Sequence, residues 1–487
     1  FETLFLGWEI LGVSSFLLIA YYRDRYLPVK NAVKVFSIYR VGDIGLILAM
    51  WLSHHLWHEN ITFFKLNNLA LVHNQIAHHQ LLALSVAMSI LLTAVIKSAQ
   101  FPFSSWLPRA MEGPTPSSAI FYGSLAVHIG AFLLQRTAGF WEDMLFFKVQ
   151  LILVGLVSAA LSTFTARVQS SIKAQVAYSS IAQIGIIFIE LALGWYDLAL
   201  IHFVGNAFLR TYQLLISPSI VTYKIREQFF NFEPNADQLT KKWSKKISYT
   251  IYMLSLQEWK LDDFLYKRLW LPVKNIGARL NFLNLSNILI FFVPLLVGAF
   301  CLLYFKADIP SEIAQYIPEI FALIGLILVI KAFTERRSVR LSFALVLLNH
   351  LWVAMAISFN DNVNWEHIII YLSGVFLFGL LGFATILWLK KLERRVFLNQ
   401  FYGHSYEHPR IAFFFLLCCL VMAGFPISPT FIGEDLIYSH IQSGQLFLAV
   451  FVSLSFIIDG LALIRIYARV FLGPHHKTYH ESAYRSS

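Results

Sequence analysis

The sequence predicts an all-α protein, a bundle of membrane-spanning helices, and two observations support this fold class. The 487-residue chain is 57% hydrophobic and only 14% charged, with a mean hydropathy of +0.63, far more apolar than a soluble domain. Apolar runs of about twenty residues, enough to cross a bilayer core of about 30 Å, recur along the whole chain. We predict about 13 transmembrane helices, at residues 1–20, 33–53, 81–98, 114–136, 147–166, 174–194, 197–223, 285–305, 318–331, 340–359, 365–389, 411–437 and 446–470.

The basic residues predict how these helices are oriented. Lys and Arg outnumber Asp and Glu by 38 to 28, which gives a formal net charge of +10. When the predicted helices alternate across the bilayer, the major basic clusters all fall on one side, which is the positive-inside pattern. We therefore expect the carboxyl end in the cytoplasm, and the net charge requires no nucleic-acid partner. The clusters include residues 23–34, 224–279, 331–340, 390–395 and 465–477.

Three parts are predicted along the chain. Residues 1–223 form a transmembrane core with one broken helix, residues 224–284 a basic cytoplasmic loop with an amphipathic surface helix, and residues 285–487 a second transmembrane part with another broken helix and a cytoplasmic tail. Between Trp259 and Trp270, aromatic and charged residues alternate at roughly helical spacing, which is typical of a helix on the membrane surface. A structural linker and a docking surface for a partner both fit this pattern. The first residues already lie within an apolar run, so we expect further helices upstream.

The first broken helix holds the most informative residue, Lys97. Lys97 ends an apolar run, and Pro102, which disfavours helix before it, predicts a break just beyond; Pro114 and Pro116 mark the same segment. A break frees backbone carbonyls that need water or protein partners, which creates a polar pocket at membrane depth. A lysine there can have its proton affinity adjusted by burial and by a nearby carboxylate, as a proton carrier requires. The alternative is a lysine that snorkels to the interface.

Two carboxylates are candidates for the same pathway. Glu9 lies in an apolar run, where a lone carboxylate would be costly, so it should stay protonated or pair with a cation such as Lys97. Asp43 begins another apolar run. It has a second interpretation, because it could simply pair with Arg40 or favour a helix amino end.

Histidines supply further candidates. His202, Asn206 and Arg210 are spaced by four residues, so they share one helix face, and histidine titrates near neutrality. His128 and His350 are similar but isolated, and each could equally be a packing residue.

A second proline-broken helix carries acidic residues. Pro426 and Pro429 precede Glu434 and Asp435, which mirrors the Lys97 segment in the other half of the chain.

The sequence predicts no metal site, cofactor or catalytic group in this chain. Cys301, Cys418 and Cys419 fall inside apolar helices without ligand spacing, and the histidines between His54 and His79 are irregularly spaced. A nucleophile–base set and a nucleotide-binding loop are also missing from the sequence, so we do not expect this chain to be an enzyme by itself.

The segment KSAQFPFSSWLPRAMEGPTPSSA (97–119) resembles a signature of the antiporter-like subunits of respiratory complex I and of Mrp cation/proton antiporters. FLGWEILGVSSFLLI (5–19), RVGDIGL (40–46) and VQSSIKAQVAYSSIAQIG (168–185) also match, in the same order. The resemblance covers residues 1 to about 223 and returns at 424–437. It implies an antiporter-like bundle in a bacterial plasma membrane, with a buried chain of charged residues that carries protons. Its members would be a coupled Glu9–Lys97 pair, the neighbouring Asp43, Lys173 as a relay lysine, His202 as a central histidine and Glu434 as the terminal group.

Three departures from the complex I pattern favour a DabB-type subunit. Tyr122 and Asn206 replace histidines, and Arg210 replaces a lysine although arginine is effectively never neutral, so the relay would run differently, for example through His128. Subunits of the DabB type are paired with a large cytoplasmic zinc protein that resembles β-carbonic anhydrase. The leading hypothesis is therefore ion flow, of protons or sodium, that drives inorganic carbon uptake with the zinc confined to the partner. The alternatives are a proton-pumping subunit of complex I or an Mrp antiporter, which would have other subunits of those complexes as partners, and a non-conducting membrane scaffold.

Overall fold

The computed structural model describes residues 2–58, 62–66, 68–230, 242–361, 363–393 and 396–475. Every regular element in these ranges is helical, which confirms the predicted all-α class. The longer helices are α1 (Glu2–Ile19), α2 (Tyr26–Trp57), α3 (Leu69–His78), α4 (Gln80–Lys97), α5 (Thr115–Arg136), α6 (Leu145–Val168), α7 (Ile172–Ala192), α8 (Tyr196–Phe230), α9 (Lys242–Leu256), α10 (261–279), α11 (Leu285–Tyr304), α12 (Ile317–Thr334), α13 (Val339–Ser358), α14 (Trp365–Leu392), α15 (Pro409–Met422), α16 (Pro429–Tyr438) and α17 (Leu446–Phe471).

Short helices fill several connections, and three of the long helices have irregular turns, one of them the π-helical turn at Ile288–Phe292 in α11. The short segments are Phe63–Leu66, Trp106–Ala110, Ala138–Trp141, Glu258–Lys260, Lys306–Asp308 and Ser311–Ala314. α5 contains a wider π-helical turn at Ala119–Leu125, and α10 contains one at Tyr266–Trp270.

Within the described residues, 11 helices are long and apolar enough to cross a membrane, fewer than the 13 spans predicted. The polytopic membrane class is confirmed. The lower number of spans has two physical causes. The polar side chains of α8 lower its mean hydropathy, and the predicted span 411–437 is divided into α15 and α16, which are too short to be counted separately.

The chain forms two compact units. Unit 1 contains Leu11–Tyr21 and Lys34–Arg268, and unit 2 contains Glu2–Ile10, Tyr22–Val33 and the described residues from Leu269 onward. In unit 1, α6 and α7 pack closely because Gly155 and Gly185 face each other; a Cβ on either would collide with the other's carbonyl. In unit 2, α12 packs against α13 and α17.

The segment predicted at the membrane surface differs in detail from its expected form. α8 continues to Phe230, residues 231–241 lie outside the described residues, and the boundary between the units falls after Arg268. Trp259 was expected on the amphipathic helix, but its φ of 56° is left-handed, and the helix begins only at Leu261. The proposed domain limits at 223 and 284 therefore stay predictions, and the predicted tail lies outside the described residues beyond 475.

Candidate functional site

The first cluster lies in unit 1, where α4 ends at Lys97. Lys97 is 1% exposed although it carries an ammonium group. Beyond it the chain leaves the helix, because Ala99 has a φ of 53°, and the short helix Trp106–Ala110 starts only after Pro102, which follows a cis peptide bond. The lysine therefore lies inside the protein at the end of an apolar helix.

The ring of Tyr39 faces the Lys97 ammonium, and Trp106 packs against that ring. Its Nζ lies 4.1 Å from the ring centroid of Tyr39, and a Cβ placed on Gly12 would lie 3.8 Å from Nζ. Trp106 packs edge-on against Tyr39 with ring centroids 4.8 Å apart, and its indole N–H donates to the carbonyl of Ile96 at 2.8 Å. A cation beside an aromatic face is stabilised by the ring quadrupole. The packing thus holds the ammonium in a fixed position away from bulk water.

Tyr122 borders this pocket at a position where the complex I pattern has histidine. Its ring centroid lies 6.4 Å from that of Trp106, and its hydroxyl donates to the carbonyl of Ser15 at 3.3 Å. Because a phenol keeps its proton near neutral pH, Tyr122 contributes a neutral hydrogen bond rather than a titrating group.

Lys173 contacts the broken segment between Trp106–Ala110 and α5. Its Nζ donates to the carbonyl of Gly113 at 3.2 Å and to that of Met111 at 3.5 Å. Gly113 itself packs on the carbonyl of Leu18, where a Cβ would collide. Lys173 therefore satisfies backbone carbonyls that the break leaves without helical donors.

Two carboxylates predicted beside Lys97 are buried. Asp43 forms an ion pair with Arg40, one helical turn earlier, with 3.6 Å between Oδ2 and Nη1. Pairing with Arg40 is the second of the two interpretations of Asp43 that its sequence position allows. Glu9 belongs to unit 2 and Lys97 to unit 1, so their pairing stays a prediction from the resemblance.

The predicted polar face of α8 forms a connected set of hydrogen bonds. The Asn206 amide N–H donates to Nε2 of His128 at 2.9 Å, and Nε of Arg210 donates to the Asn206 amide oxygen at 3.1 Å. Arg210 also donates to Oε1 of Gln213 at 2.7 Å and to the carbonyl of Ser179 at 3.4 Å. Nδ1 of His128 lies 2.8 Å from the carbonyl of Ser124, which assigns the proton of neutral His128 to Nδ1.

His202 contacts a carboxylate that the sequence analysis missed. Its Nδ1 lies 2.9 Å from Oε1 of Glu190, which is 8% exposed, and its Nε2 lies 2.9 Å from Oε1 of Gln183. An amide can present either its oxygen or its NH₂ group, so the imidazole keeps both hydrogen bonds with one proton or two. Glu190, His202 and Gln183 therefore form a site that can gain and release a proton without losing a hydrogen bond.

Helix α5 connects the Lys97 pocket with the polar face of α8. Tyr122 and His128 stand six residues apart, which is about 9 Å along a helix axis. A Cβ on Gly130 would collide with the carbonyl of Ala94 and with the hydroxyl of Ser98, so α5 touches α4 beside Lys97. The two clusters are thus neighbours within unit 1.

The second broken helix lies in unit 2. α15 ends at Met422, α16 begins at Pro429, and Pro426 stands in the connection. Gly424 has a φ of +69°, and a Cβ there would collide with the Glu434 carboxylate. The turn therefore folds directly over this acid. Pro426 lies in the connection between two helices, whereas Pro114 and Pro116 stand at the start of one helix, α5.

Unit 2 also contains a buried cluster centred on His350. Its Nε2 lies 3.1 Å from Oδ2 of Asp459 on α17, and its Nδ1 lies 2.6 Å from the hydroxyl of Tyr371 on α14. The side chains of His350 and Asp459 are 0% and 1% exposed. Tyr371 in turn interacts electrostatically with Glu434. His350 is therefore not an isolated packing residue.

An ion cluster attaches residues 258–262 to the rest of unit 1. Arg109 donates to both carboxylate oxygens of Glu258, at 3.0 and 2.5 Å, and Lys34 lies 2.6 Å from Asp262. Residues 258–260 all have positive φ, so the chain turns sharply here. Burial alone would raise the pKa of Asp262, but the Lys34 ammonium, a hydrogen bond from Ser105 and the charge of Arg109 together lower it. This cluster was not predicted from the sequence.

One group of side chains in the described residues could hold a cation. Ligand atoms of Glu393, Glu407 and His408 lie within 4.8 Å of one another. Nε2 of His408 lies 2.9 Å from Oε1 of Glu393, so an ion pair already accounts for this arrangement.

Comparison with known families gives a match over more than half of the chain. The family described as NADH:quinone oxidoreductase/Mrp antiporter, transmembrane, matches residues 2–257. The Lys97 pocket, the polar face of α8 and Glu190 all lie inside the matched residues.

Two curated relatives carry the description "NAD(P)H-quinone oxidoreductase subunit 5, chloroplastic". The protein from Dioscorea elephantipes is 36% identical over 218 residues, which is 44% of this chain and 29% of the relative. The protein from Oryza sativa is 33% identical over 239 residues, 48% of this chain and 32% of the relative. The matched part therefore spans under a third of each relative. A chain in the solved Mrp complex from Dietzia sp. DQ12-45-1b aligns over 98% of this chain and 86% of its own length, with 14% identity and a TM-score of 0.41.

Proposed function

Because the chain belongs to the NADH:quinone oxidoreductase/Mrp antiporter transmembrane family, we propose that it translocates protons as one membrane subunit of a complex of that type. The observation that carries this proposal is the burial of Lys97, 1% exposed at the end of α4. A buried amine at a helix break is costly, and membrane proteins retain such groups where ions or protons pass. The chain would need no cofactor of its own.

In the first part of the proposed route, Lys97 takes up and releases the proton. Glu9 is its expected counter-ion, and a carboxylate that approaches or withdraws changes how firmly an amine holds its proton. Tyr39 stabilises the ammonium independently of any acid. Lys173 keeps the broken segment in shape, and Asp43 neutralises Arg40 within the same unit.

In the second part, the proton leaves through His202 rather than through Arg210, because a guanidinium does not give up its proton at physiological pH. His202 as imidazolium breaks its Nδ1–H bond, Glu190 forms an O–H bond, and both groups become neutral. Nε2 of His202 keeps its proton and continues to donate to Oε1 of Gln183. His128 accepts a hydrogen bond from Asn206, so it can take a proton at Nε2 only when that amide turns.

In unit 2, Glu434 would be the terminal group. Its position under the Gly424 turn and its electrostatic contact with Tyr371 support this role. His350 and Asp459 would then hold a proton within hydrogen-bond reach of Tyr371.

Inorganic carbon uptake is the second candidate function. Tyr122, Asn206 and Arg210 favour it, because each replaces a titrating side chain of the complex I pattern and makes fixed hydrogen bonds. The partner would then be a large cytoplasmic zinc protein, and sodium could replace the proton. The family match and the curated relatives favour the first candidate. The proposed setting for both is a bacterial plasma membrane with the carboxyl end in the cytoplasm.

The proposed function is tested by proton flux into membrane vesicles that contain the assembled complex, followed with a pH-sensitive dye. We expect Lys97→Met to reduce flux at least about tenfold, because the variant lacks the amine that takes up and releases the proton in the proposed route. Lys246→Met, at an exposed position on α9, is the matched control and should leave flux unchanged. Full flux in an assembled Lys97→Met complex would favour the scaffold and contradict translocation through this site.

Co-purification separates the two candidate complexes. The tagged chain is isolated from native membranes, and bound subunits are identified by mass spectrometry. Oxidoreductase or Mrp subunits support the first candidate, and a single large zinc protein supports inorganic carbon uptake. Replacement of sodium by potassium in the flux assay identifies the cation.

A further inference from the structure

We propose that unit 2 binds the phosphate headgroup of an anionic phospholipid in a basic cavity at the end of α12. This site shares no residue with the proposed proton route and does not depend on it. The cavity has a volume of about 450 Å³ and lies between α10 and the turn that follows α12. Its lining contains four cationic side chains and one carboxylate, Glu335, so its formal charge is three positive. The four cations are Lys274, Lys331, Arg336 and Arg337.

The single carboxylate in the lining already has hydrogen-bond and ion-pair partners within the protein. Oε1 of Glu335 accepts the backbone N–H groups of Arg336 at 3.0 Å and Arg337 at 2.7 Å, and Oε2 lies 2.7 Å from Nζ of Lys331. Burial alone would raise the pKa of Glu335, but the hydrogen bond from Lys331 and the backbone donors lower it. Glu335 therefore stays charged and neutralises Lys331. Lys274, Arg336 and Arg337 are the other cationic side chains of the lining.

The walls of the cavity are fixed by backbone packing. A Cβ on Gly277 would collide with the side chain of Thr334, so α10 lies directly against the last turn of α12. Nζ of Lys331 also donates to Oδ1 of Asn281 at 3.0 Å, which ties the end of α10 to α12. A cavity held in this way needs little reorganisation when an anion binds, which favours affinity.

The surroundings of the cavity favour a lipid over a free phosphate ion. Ile276 and Phe282, which flank the cavity lining along the chain, are 45% and 62% exposed. Acyl chains can cover such apolar side chains while the headgroup occupies the cavity, whereas inorganic phosphate would use the charges alone. A basic pocket at the end of a membrane helix is a recognised form of anionic lipid site. The ligand is therefore a phosphodiester with two acyl chains.

Thermal unfolding of the purified full chain in detergent tests the proposal. The probes are dioleoyl phosphatidylglycerol, dioleoyl phosphatidylcholine and inorganic phosphate. We expect phosphatidylglycerol to raise the Tm of the wild type, and Lys274→Gln/Arg337→Gln to weaken its binding at least tenfold. Lys390→Gln/Lys391→Gln removes the same charge from exposed positions at the end of α14 and should bind like wild type.

Two outcomes of the same experiment would overturn the proposal. Equal stabilisation by inorganic phosphate would make this a site for soluble anions, and equal losses in both double variants would mean non-specific charge attraction. If the cavity double variant does not fold, Lys274→Gln alone is compared with Lys390→Gln. Native mass spectrometry then counts the phosphatidylglycerol retained, and we expect one molecule fewer on Lys274→Gln.

Discussion

Unit 1 and unit 2 bury charge in different ways. Unit 1 places the cation Lys97 against the Tyr39 ring and keeps its carboxylate–imidazole pair, Glu190 and His202, partly accessible at 11% and 22% side-chain exposure. Unit 2 encloses its carboxylate–imidazole pair, Asp459 and His350, almost completely. Both pairs have close partners, as buried charges require. The accessible pair is suited to exchange protons with its surroundings, and the enclosed pair is suited to hold one.

The largest expected effect concerns the enclosed pair. Asp459→Leu removes the carboxylate that lies 3.1 Å from Nε2 of His350, so the buried imidazole loses this charge partner and we expect a loss of roughly 3 kcal/mol in unfolding free energy. Chemical unfolding in mild detergent measures this change. Asp263→Leu, at an exposed position on α10, should have little effect.

A double variant tests whether Asp459 and His350 stabilise the protein as a pair. Asp459→Leu/His350→Leu replaces both partners with apolar groups, and we expect it to recover much of the lost stability. A double variant that is less stable than Asp459→Leu would show that the two side chains do not act as a pair.

The accessible pair should affect transport more than stability. We expect Glu190→Gln to reduce proton flux about tenfold and to change its pH dependence, because His202 loses its proton acceptor. His128 and Arg210 are the other titratable or charged groups on this polar face, and both stay in place. Glu142→Gln, which changes a carboxylate bonded to Tyr196, is the control. An unchanged pH profile in Glu190→Gln would contradict the exchange role while leaving the Lys97 result intact.

The smallest effect concerns the ion cluster that attaches residues 258–262. The folded-state pKa of Asp262 is lowered from 3.8, so its stabilising contribution is present above that value and is lost as pH falls through the folded pKa. At pH 7 we expect Asp262→Asn to lose about 1 kcal/mol or less, since solvent screens this partly exposed carboxylate. Unfolding measured from pH 7 to pH 3 should show wild type and variant converging in acid. A constant difference would contradict the pairing with Lys34.

The sequence could predict features that depend on spacing along the chain. The end of α4 near Lys97 follows from apolar length and proline chemistry, and the shared face of His202, Asn206 and Arg210 follows from helical periodicity. These signals are local, so they need no knowledge of which helices are neighbours.

Features that depend on pairing between helices were missed. Glu190 was visible as a charge inside an apolar helix, but its contact with His202 requires α7 and α8 to pack in one register. His350 and Asp459 are more than a hundred residues apart, and their pairing has no local signal. Trp259 was placed on a helix because its spacing fits, while the ion pairs of Glu258 and Asp262 favour a sharp turn there.

Arg210 places a permanent positive charge on the polar face of α8. In the described residues its hydrogen bonds go to neutral groups, on Asn206, Gln213 and Ser179, so its positive charge is not cancelled nearby. At about 7 Å and an effective dielectric constant of about 20, a sodium ion would be repelled by about 2 kcal/mol, roughly a thirtyfold exclusion. A proton that moves by exchanging bonds between His202 and Glu190 never has to occupy that space. For the first candidate, the permanent guanidinium charge would thus oppose the entry of a metal cation, whereas proton exchange between His202 and Glu190 leaves the net charge of that pair unchanged.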